Sequence, residues 1–355
     1  MKINFNNIIK NKIVITLLFL ILLFIIILFV HKKREEKWNN QDISNAIHGV
    51  VIQENTSFYR KPKEFKWRLI KETEVGENAY IIEEIQDKKG EKWYKVKIDD
   101  RVGYVKKSAV KYFEFANGDE KTLMSDVSKF NVIYKHFEKA GDYEAFIIKN
   151  NINYVYIRLG GRGYGEEGNF YTDPNFDIFI DACEYLGVPY GFYYIDEAIN
   201  SEEVQEEVDF IKGLIDKNKT KMCMLPLVLD IETYDGVGRA DDLDEERAII
   251  AEELVQKFKE ENIETLIYAN AKYAGEFLST VDSKFWLAYY DKQNKIPEIW
   301  YTETDQETAL NEELMNKMVA WQFTDEGAGA EIPYSVDVSL VDNTFFRTFV
   351  NTMEE

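Results

Sequence analysis

The pattern of apolar and polar positions changes character three times along the chain. Residues 13–30, IVITLLFLILLFIIILFV, are apolar on every helical face, with Thr16 the single polar position. At 1.5 Å per residue such a helix is about 27 Å long, close to the hydrocarbon thickness of a bilayer. A core helix would show one apolar stripe instead. HKKREEK follows without the small-residue site of a cleaved signal peptide. The pattern therefore predicts an uncleaved transmembrane anchor over 13–30, with a cytoplasmic N-terminus, 1–12, before it and a polar stalk, 31–47, after it.

From 48 to 113 the runs become short and rich in β-formers. AYIIEEI (79–85), KWYKVKI (92–98) and VGYVKK (102–107) read as strands, parted by the turn signals Asp87-Lys88-Lys89-Gly90 and Asp99-Asp100. Alternation places Trp93, Lys95 and Lys97 on one face of the middle strand and Tyr94, Val96 and Ile98 on the other, buried one. About sixty residues with four or five such strands predict a small all-β barrel. The succession WYKVK, turn, VGYVKKSAV resembles bacterial SH3-type domains, with Tyr104 where these usually carry tryptophan. The resemblance implies a module that holds wall peptide or glycan, with a plain spacer as the alternative.

Beyond residue 120, apolar runs alternate with amphipathic segments. Strands are predicted at 123–128, 154–160, 190–195, 225–232, 264–270, 285–291, 318–323 and 334–339, and helices at 127–140, 175–187, 202–217, 244–262 and 272–279. Strands alternating with helices imply a parallel sheet, and eight of them imply a barrel. The last three strands have little helical pattern between them, so the α/β barrel over 120–352 is expected to be an incomplete TIM-like one.

The acids are placed where such a barrel would use them. In LPLVLDIE, Val228, Asp230 and Glu232 share one face of the strand, and Leu227, Leu229 and Ile231 share the other. Two carboxylates thus fall at the strand's C-terminal end, with Cα atoms about 6–7 Å apart, where barrel active sites lie. Asp126, Gln322 and Asp337 fall at or near the ends of other strands, and Tyr193, Tyr194, Tyr268, Tyr289, Tyr290 and Trp321 add aromatic rings. Structural ion pairs explain these acids less well, because Arg158 and Arg162 are the nearest basic residues. A glycosidase needs one carboxyl group protonated and one ionised, and crowded carboxyls provide both forms. Aromatic faces suit a pyranose ring.

Charge and composition narrow the reading. The net charge of −21 divides into +8 for residues 1–113 and −29 for residues 114–355, and so acidic a barrel argues against nucleic acid. Two cysteines form no disulfide framework and three histidines no multi-histidine centre, so neither metal nor cofactor is expected. His136, in YKHFEKA, reads as a helix-surface residue rather than a site residue.

SDVSKFN with Asp126, YIRLGGRGYGEEG, DPNFDIFIDACEYLGVPYGFYYIDEAI, PLVLDIE, IYAN, FWLAYYD, AWQFTDEG and VDVSLVD follow one another across 123–350. Together they resemble glycoside hydrolase family 25, the lysozymes or N-acetylmuramidases. The resemblance implies a (β/α)5β3 barrel that cleaves the β-1,4 bond between N-acetylmuramic acid and N-acetylglucosamine in peptidoglycan. It implies Glu232 as general acid, Asp230 as support for a charged intermediate formed with the substrate's 2-acetamido group, and Asp126 and Asp337 as orienting acids. Trp286, Tyr289 and Trp321 would contact sugar, beside Tyr193, Tyr268 and Gln322. Tyr194 stands where many members have histidine or another aromatic, and Val338-Ser339 replaces the usual asparagine after the late Val-Asp.

Two other readings are a catalytically silent wall-binding scaffold and a chitinase-like hydrolase. The second expects D-x-x-D-x-D-x-E, against which Pro226 and Val228 count. Lys2, Lys10 and Lys12 before the apolar run nearly balance Lys32, Lys33, Arg34 and Lys37 after it, so charge does not set the orientation. Peptidoglycan does: it lies outside, so the expectation is a single-pass cell-membrane protein with its barrel on the cell-wall side. Its expected partners are peptidoglycan and the membrane, with a secretion or conjugation apparatus as a further candidate.

Overall fold

The computed structural model describes residues 5–116, 122–233, 236–243, 246–290, 296–297, 312–325 and 336–350, with the side chains of 5–15 and 18 outside the description. The chain forms two compact units, divided after Val110.

The first unit begins with α1 (Phe5–Asn39). Residues 19–30 within it are apolar and exposed on all faces. Part of the predicted span 13–30 lies outside the described side chains, and among the described residues no helix is long and apolar enough to cross a membrane. The helix runs on through the first part of the expected stalk to Asn39 and is fixed there. Trp38 Nε1 donates to the Val102 carbonyl at 3.0 Å, and Asn39 Oδ1 accepts from the Val102 amide at 3.1 Å.

A seven-stranded sheet follows, comprising β1 (Ile47–Val51), β2 (Thr56–Tyr59), β3 (Leu69–Thr73), β4 (Asn78–Gln86), β5 (Lys92–Ile98), β6 (Arg101–Lys106) and β7 (Val110–Tyr112), in the order β3-β2-β6-β5-β4-β1-β7. Asp99 adopts a left-handed φ of 50° in the two-residue turn between β5 and β6, a conformation in which Asp is among the better tolerated residues. The alternation in β5 is broken at Trp93. It is buried, not exposed beside Lys95 and Lys97, and packs edge-on against Tyr59 at 6.0 Å.

The second unit is an α/β barrel. Its elements are β8 (Thr122–Val127), α2 (Lys129–Ile133), α3 (Ala140–Asn150), β9 (Ile152–Arg162), β10 (Phe170–Thr172), α4 (Phe176–Leu186), β11 (Tyr190–Ile195), α5 (Ser201–Asn218), β12 (Leu227–Asp230), α6 (Arg247–Glu260), β13 (Thr265–Asn270), α7 (Ala271–Tyr273), β14 (Lys284–Ala288), α8 (Glu312–Lys317), β15 (Met318–Thr324), β16 (Asp337–Val341) and α9 (Asn343–Val350). The strands β8, β9, β11, β12, β13, β14 and β15 pair in parallel, β16 runs antiparallel between β15 and β8 to close the ring, and β10 adds a short hairpin edge to β9.

Side-chain alternation sorts the core into two layers. Leu227, Leu229 and Ile231 face the helices, whereas Val228 packs inside the barrel with Met124, Tyr154, Tyr156, Leu266 and Trp286. Bulky rings therefore fill the lower interior. At the base, Phe115 packs against Tyr154 at 5.4 Å, Tyr154 Oη donates to Asn343 Oδ1 at 2.7 Å, and Phe346 of α9 closes on the same ring.

The helix expected over 127–140 is instead split. Ser128 and Asn131 form a capping box for the short α2, Lys135 turns the chain at φ 58°, and Asp142 accepts the amides of Glu138 and Lys139 to start α3. His136 consequently lies in the bend between helices, not on a helix surface. Of the segment between β14 and β15, only α8 and a few flanking residues are described, so the expected scarcity of helix there falls largely outside the described residues.

Candidate active site

The mouth of the barrel gathers the four acids. Asp126 stands near the end of β8 and Asp230 ends β12, both on parallel strands. Asp337 is the first residue of β16, and because that strand runs the other way its start lies at the same end of the barrel. Glu232 follows β12 by two residues. Its turn is held by the Ile231 amide donating to the Tyr268 carbonyl at 2.9 Å, and by the Asp196 amide donating to the Asp230 carbonyl at 3.0 Å.

Gln322 is the polar hub. Its Oε1 accepts from Tyr268 Oη at 2.7 Å and from Tyr290 Oη at 2.9 Å, and its Nε2 donates to Asp126 Oδ1 at 3.0 Å. Two hydroxyl donors on one side and a carboxylate acceptor on the other leave the amide a single sensible orientation. Asp126 is also bonded to Asp337, directly opposite it in the strand register.

Burial governs the protonation of this cluster. It pushes Asp126 up to about 6, against the bonds from Gln322 and Asp337 that favour its ionised form. Burial and the neighbouring Asp126 raise Asp337 well above the carboxylate range, which makes it the proton carrier of the pair. Asp230 is raised well above that range by burial and then by Glu232 and Asp126, and its Oδ1 has no hydrogen-bond partner among the described residues. Burial lifts Glu232 to about 7, opposed by the hydrogen bond from the Asn270 amide. Such a site is short of compensating charge. Arg158 favours the ionised forms of Asp126 and Asp230, but its Nε is bound to Asp173 at 2.9 Å. Arg162 is engaged by Glu206 and Glu207.

The aromatic residues divide by strand face. Tyr193 and Tyr268 sit with the acids and are raised by burial. Trp286 is 2% exposed, packed against Tyr156 and Tyr268, with Nε1 donating to Ser339 Oγ at 2.9 Å, so it lies beneath the site rather than across its opening. Trp321 packs in the outer layer and donates Nε1 to the Tyr289 carbonyl at 2.8 Å, which positions the half-buried Tyr289. Tyr194 also faces outward, against Phe210 of α5.

Sequence reasoning missed the rim formed by β10. Tyr171 lies close enough to feel the charges of Arg158 and Asp230, and burial pushes it up to about 12. The strand crosses Gly160 and Gly161 so closely that a Cβ would stand 2.1 Å from the Tyr171 carbonyl oxygen at the first and 2.6 Å from its hydroxyl at the second. The Gly-Gly pair inside a strand-forming run was the available signal. The loop after Glu232 is tied down as well: Arg239 binds Glu203, and the Ala240 amide donates to Glu197 Oε2 at 3.0 Å. No group of three or more ligating side chains suited to a metal ion occurs among the described residues.

Several solved structures and one family model are similar to this chain. The chain is similar in structure to the spore cortex lytic enzyme SleM of Clostridium perfringens (20% identity, TM-score 0.47, covering 63% of this chain and 68% of that one). It is also similar to the modular autolysin LytC of Streptococcus pneumoniae (17%, 0.43), of which it spans 57% while 82% of its own length is covered. A third similar structure is the bacterial lysozyme of Streptomyces coelicolor (16%, 0.45, covering 66% and 99%). No curated protein matches the chain in sequence. The family described as glycosyl hydrolases family 25 matches residues 125–332, a span that holds Asp126, Asp230, Glu232 and Gln322 and stops just short of Asp337. Matched over more than half its length, the chain belongs to glycosyl hydrolase family 25 and is a glycoside hydrolase.

Proposed function

We propose that this glycoside hydrolase is a membrane-anchored muramidase, cutting the β-1,4 bond between N-acetylmuramic acid and N-acetylglucosamine in peptidoglycan close to the membrane. The observation that carries the reading is Glu232, a carboxyl group that burial keeps protonated up to about 7, two residues from the buried Asp230, whose Oδ1 has no hydrogen-bond partner among the described residues. Glu232 donates its proton to the leaving glycosidic oxygen. Asp230 acts in its ionised form, its proton having passed to solvent, and stabilises the positive charge developing on the sugar or the ring formed by the substrate's 2-acetamido group. Asp337 donates to Asp126 and keeps that carboxylate fixed, while Gln322 holds it from the other side.

The anchor reading rests on residues 13–30, whose described members 19–30 present bare apolar side chains all round α1. An extracytoplasmic barrel follows from the location of the substrate. One tether limits reach to nearby wall, which suits local remodelling around a membrane assembly such as a secretion or conjugation apparatus. The small β unit, with its SH3-type pattern, is read as a basic wall-holding module that offsets the barrel's negative charge.

The test uses the full chain in detergent and its Glu232→Gln variant on purified peptidoglycan, with released reducing ends identified by mass spectrometry. Muramic-acid ends from the parent, absent with the variant, support the reading. N-acetylglucosamine ends reject the bond assignment. No release from either protein, with wall binding intact, favours a silent clamp.

A further inference from the structure

The loop from 60 to 68, between β2 and β3, reads RKPKEFKWR. It sets five cations, Arg60, Lys61, Lys63, Lys66 and Arg68, against the single acid Glu64. Glu64 is taken by Lys106 of β6 at 2.5 Å, and among the described residues Lys61, Lys63, Lys66 and Arg68 pair with no carboxylate. Between these charges stand two bare rings. Phe65 is 42% and Trp67 74% exposed, stacked at 6.2 Å, with the Arg68 guanidinium 4.2 Å above Trp67. Packing within the unit does not account for so open a tryptophan.

The place of this loop along α1 identifies its partner. Arg60 Nη1 binds Glu35 Oε1 at 2.6 Å. Glu35 lies five residues beyond Val30, the last residue of the apolar run, so the contact is about 7.5 Å along the axis from the end of that run. The headgroup zone on each side of the hydrocarbon is about 5–8 Å deep. The helix end is held to the β unit by the two bonds to Val102, and Lys95 Nζ lies 5.1 Å from the Trp38 ring.

We propose that loop 60–68 is a second membrane contact, its cations meeting anionic phospholipid headgroups and Trp67 lying in the bilayer interface. This rests on the reading of 13–30 as a membrane span. Clustered Lys and Arg attract anionic lipid, and tryptophan is favoured at headgroup level because its ring is apolar and its N–H polar. An anionic wall polymer is the competing occupant. It would sit in the open groove of about 1230 Å³ that Lys63 and Phe65 share with Lys88, Lys89 and Lys92, but neither Trp67, Lys61 nor Lys66 lines that groove.

The experiment reconstitutes the full chain into phosphatidylcholine vesicles with and without phosphatidylglycerol, each carrying a lipid spin-labelled near the glycerol. Tryptophan quenching is compared for the parent, Trp67→Phe and the triple variant Lys61→Glu/Lys63→Glu/Lys66→Glu. The expected result is extra quenching in the parent that is lost in Trp67→Phe, in the triple variant and in pure phosphatidylcholine. Extraction of the parent by alkaline carbonate overturns the anchor reading, and this proposal with it. A retained chain with equal quenching in parent and Trp67→Phe overturns the loop contact alone. A Trp67 signal that responds to added anionic wall polymer and not to phosphatidylglycerol assigns the loop to the wall and overturns the lipid contact.

Discussion

Asp337 stands directly opposite Asp126 on antiparallel neighbours, and the two carboxyl groups share a hydrogen bond with the proton on Asp337. Two like charges at facing positions of a buried ladder cannot both be ionised. The site therefore stores a proton besides the one on Glu232, and Asp126 is ionised above about 6 because its partner is not.

Stability should fall as pH rises through the site's raised carboxyl values. Unfolded carboxyls titrate near about 4, whereas Asp126 does so at about 6, Glu232 at about 7, and Asp230 higher than its ordinary value. Between those limits the folded state holds protons that the unfolded state has lost. Each such group costs about 1.4 kcal/mol per pH unit, and its stabilisation is complete only at low pH. Asp230→Asn should thus raise the Tm of the barrel at neutral pH and leave it nearly unchanged at about pH 4. Calorimetry at the two pH values checks this; a pH-independent shift would refute the burial argument.

Activity should decline as pH rises through about 7, because Glu232 must be protonated to act. Glu232→Gln should lower kcat by roughly 100- to 10,000-fold and remove that limb. Reducing-end release across the pH range measures both effects, and a retained limb would assign it to another group.

Gln322→Leu leaves the Tyr268 and Tyr290 hydroxyls without their acceptor and Asp126 without a donor. The expected loss is about 1–3 kcal/mol of stability, and Asp126 should titrate higher than about 6. Carboxyl-carbon NMR titration reads the second effect. An unmoved Asp126 would show that the hub is not electrostatic.

Gly160→Ala places a methyl group 2.1 Å from the Tyr171 carbonyl oxygen. Backbone must give way there, so β10 should lift from β9 and take Tyr171 with it. KM should rise several-fold with a smaller change in kcat. Equal KM values for the two proteins would remove β10 from the substrate rim.

Lys88, Lys89 and Lys92 border the groove of the small β unit, and Lys88 and Lys89 have no carboxylate partner among the described residues. Reversing their charge should weaken binding to purified cell wall at low salt, with the difference vanishing at high salt. Sedimentation with wall fragments is the readout.

Much of this architecture was legible because strand periodicity and strand ends carry it. The alternation in 225–232 assigned Val228 and Asp230 to the interior and Leu227 and Leu229 to the helices, as the two packing layers show. Aromatic placement was less legible. Trp321 and Tyr194 face outward because each adjoins an inward residue, Gln322 and Tyr193, and successive side chains of a strand point to opposite faces, an alternation that grouping all the rings as one lining passed over. The break between α2 and α3 was hidden because Phe130 and Phe137 keep helical spacing across a turn that only Lys135's backbone reveals. Asp337 was legible as an acid, but the reversal of its strand, which brings it opposite Asp126, is a property of closure.

That reversal also settles where the barrel can be held. The chain enters β8 and leaves β16 at the base, under Phe115, Tyr154 and Phe346. Tension drawn through either connection would load the paired β8 and β16 ladder and the aromatic plug beneath it. Asp126 and Asp337 form the pair of that ladder farthest from the base, so a pull would spend itself on Thr122 and Val341 first and reach the acid pair last.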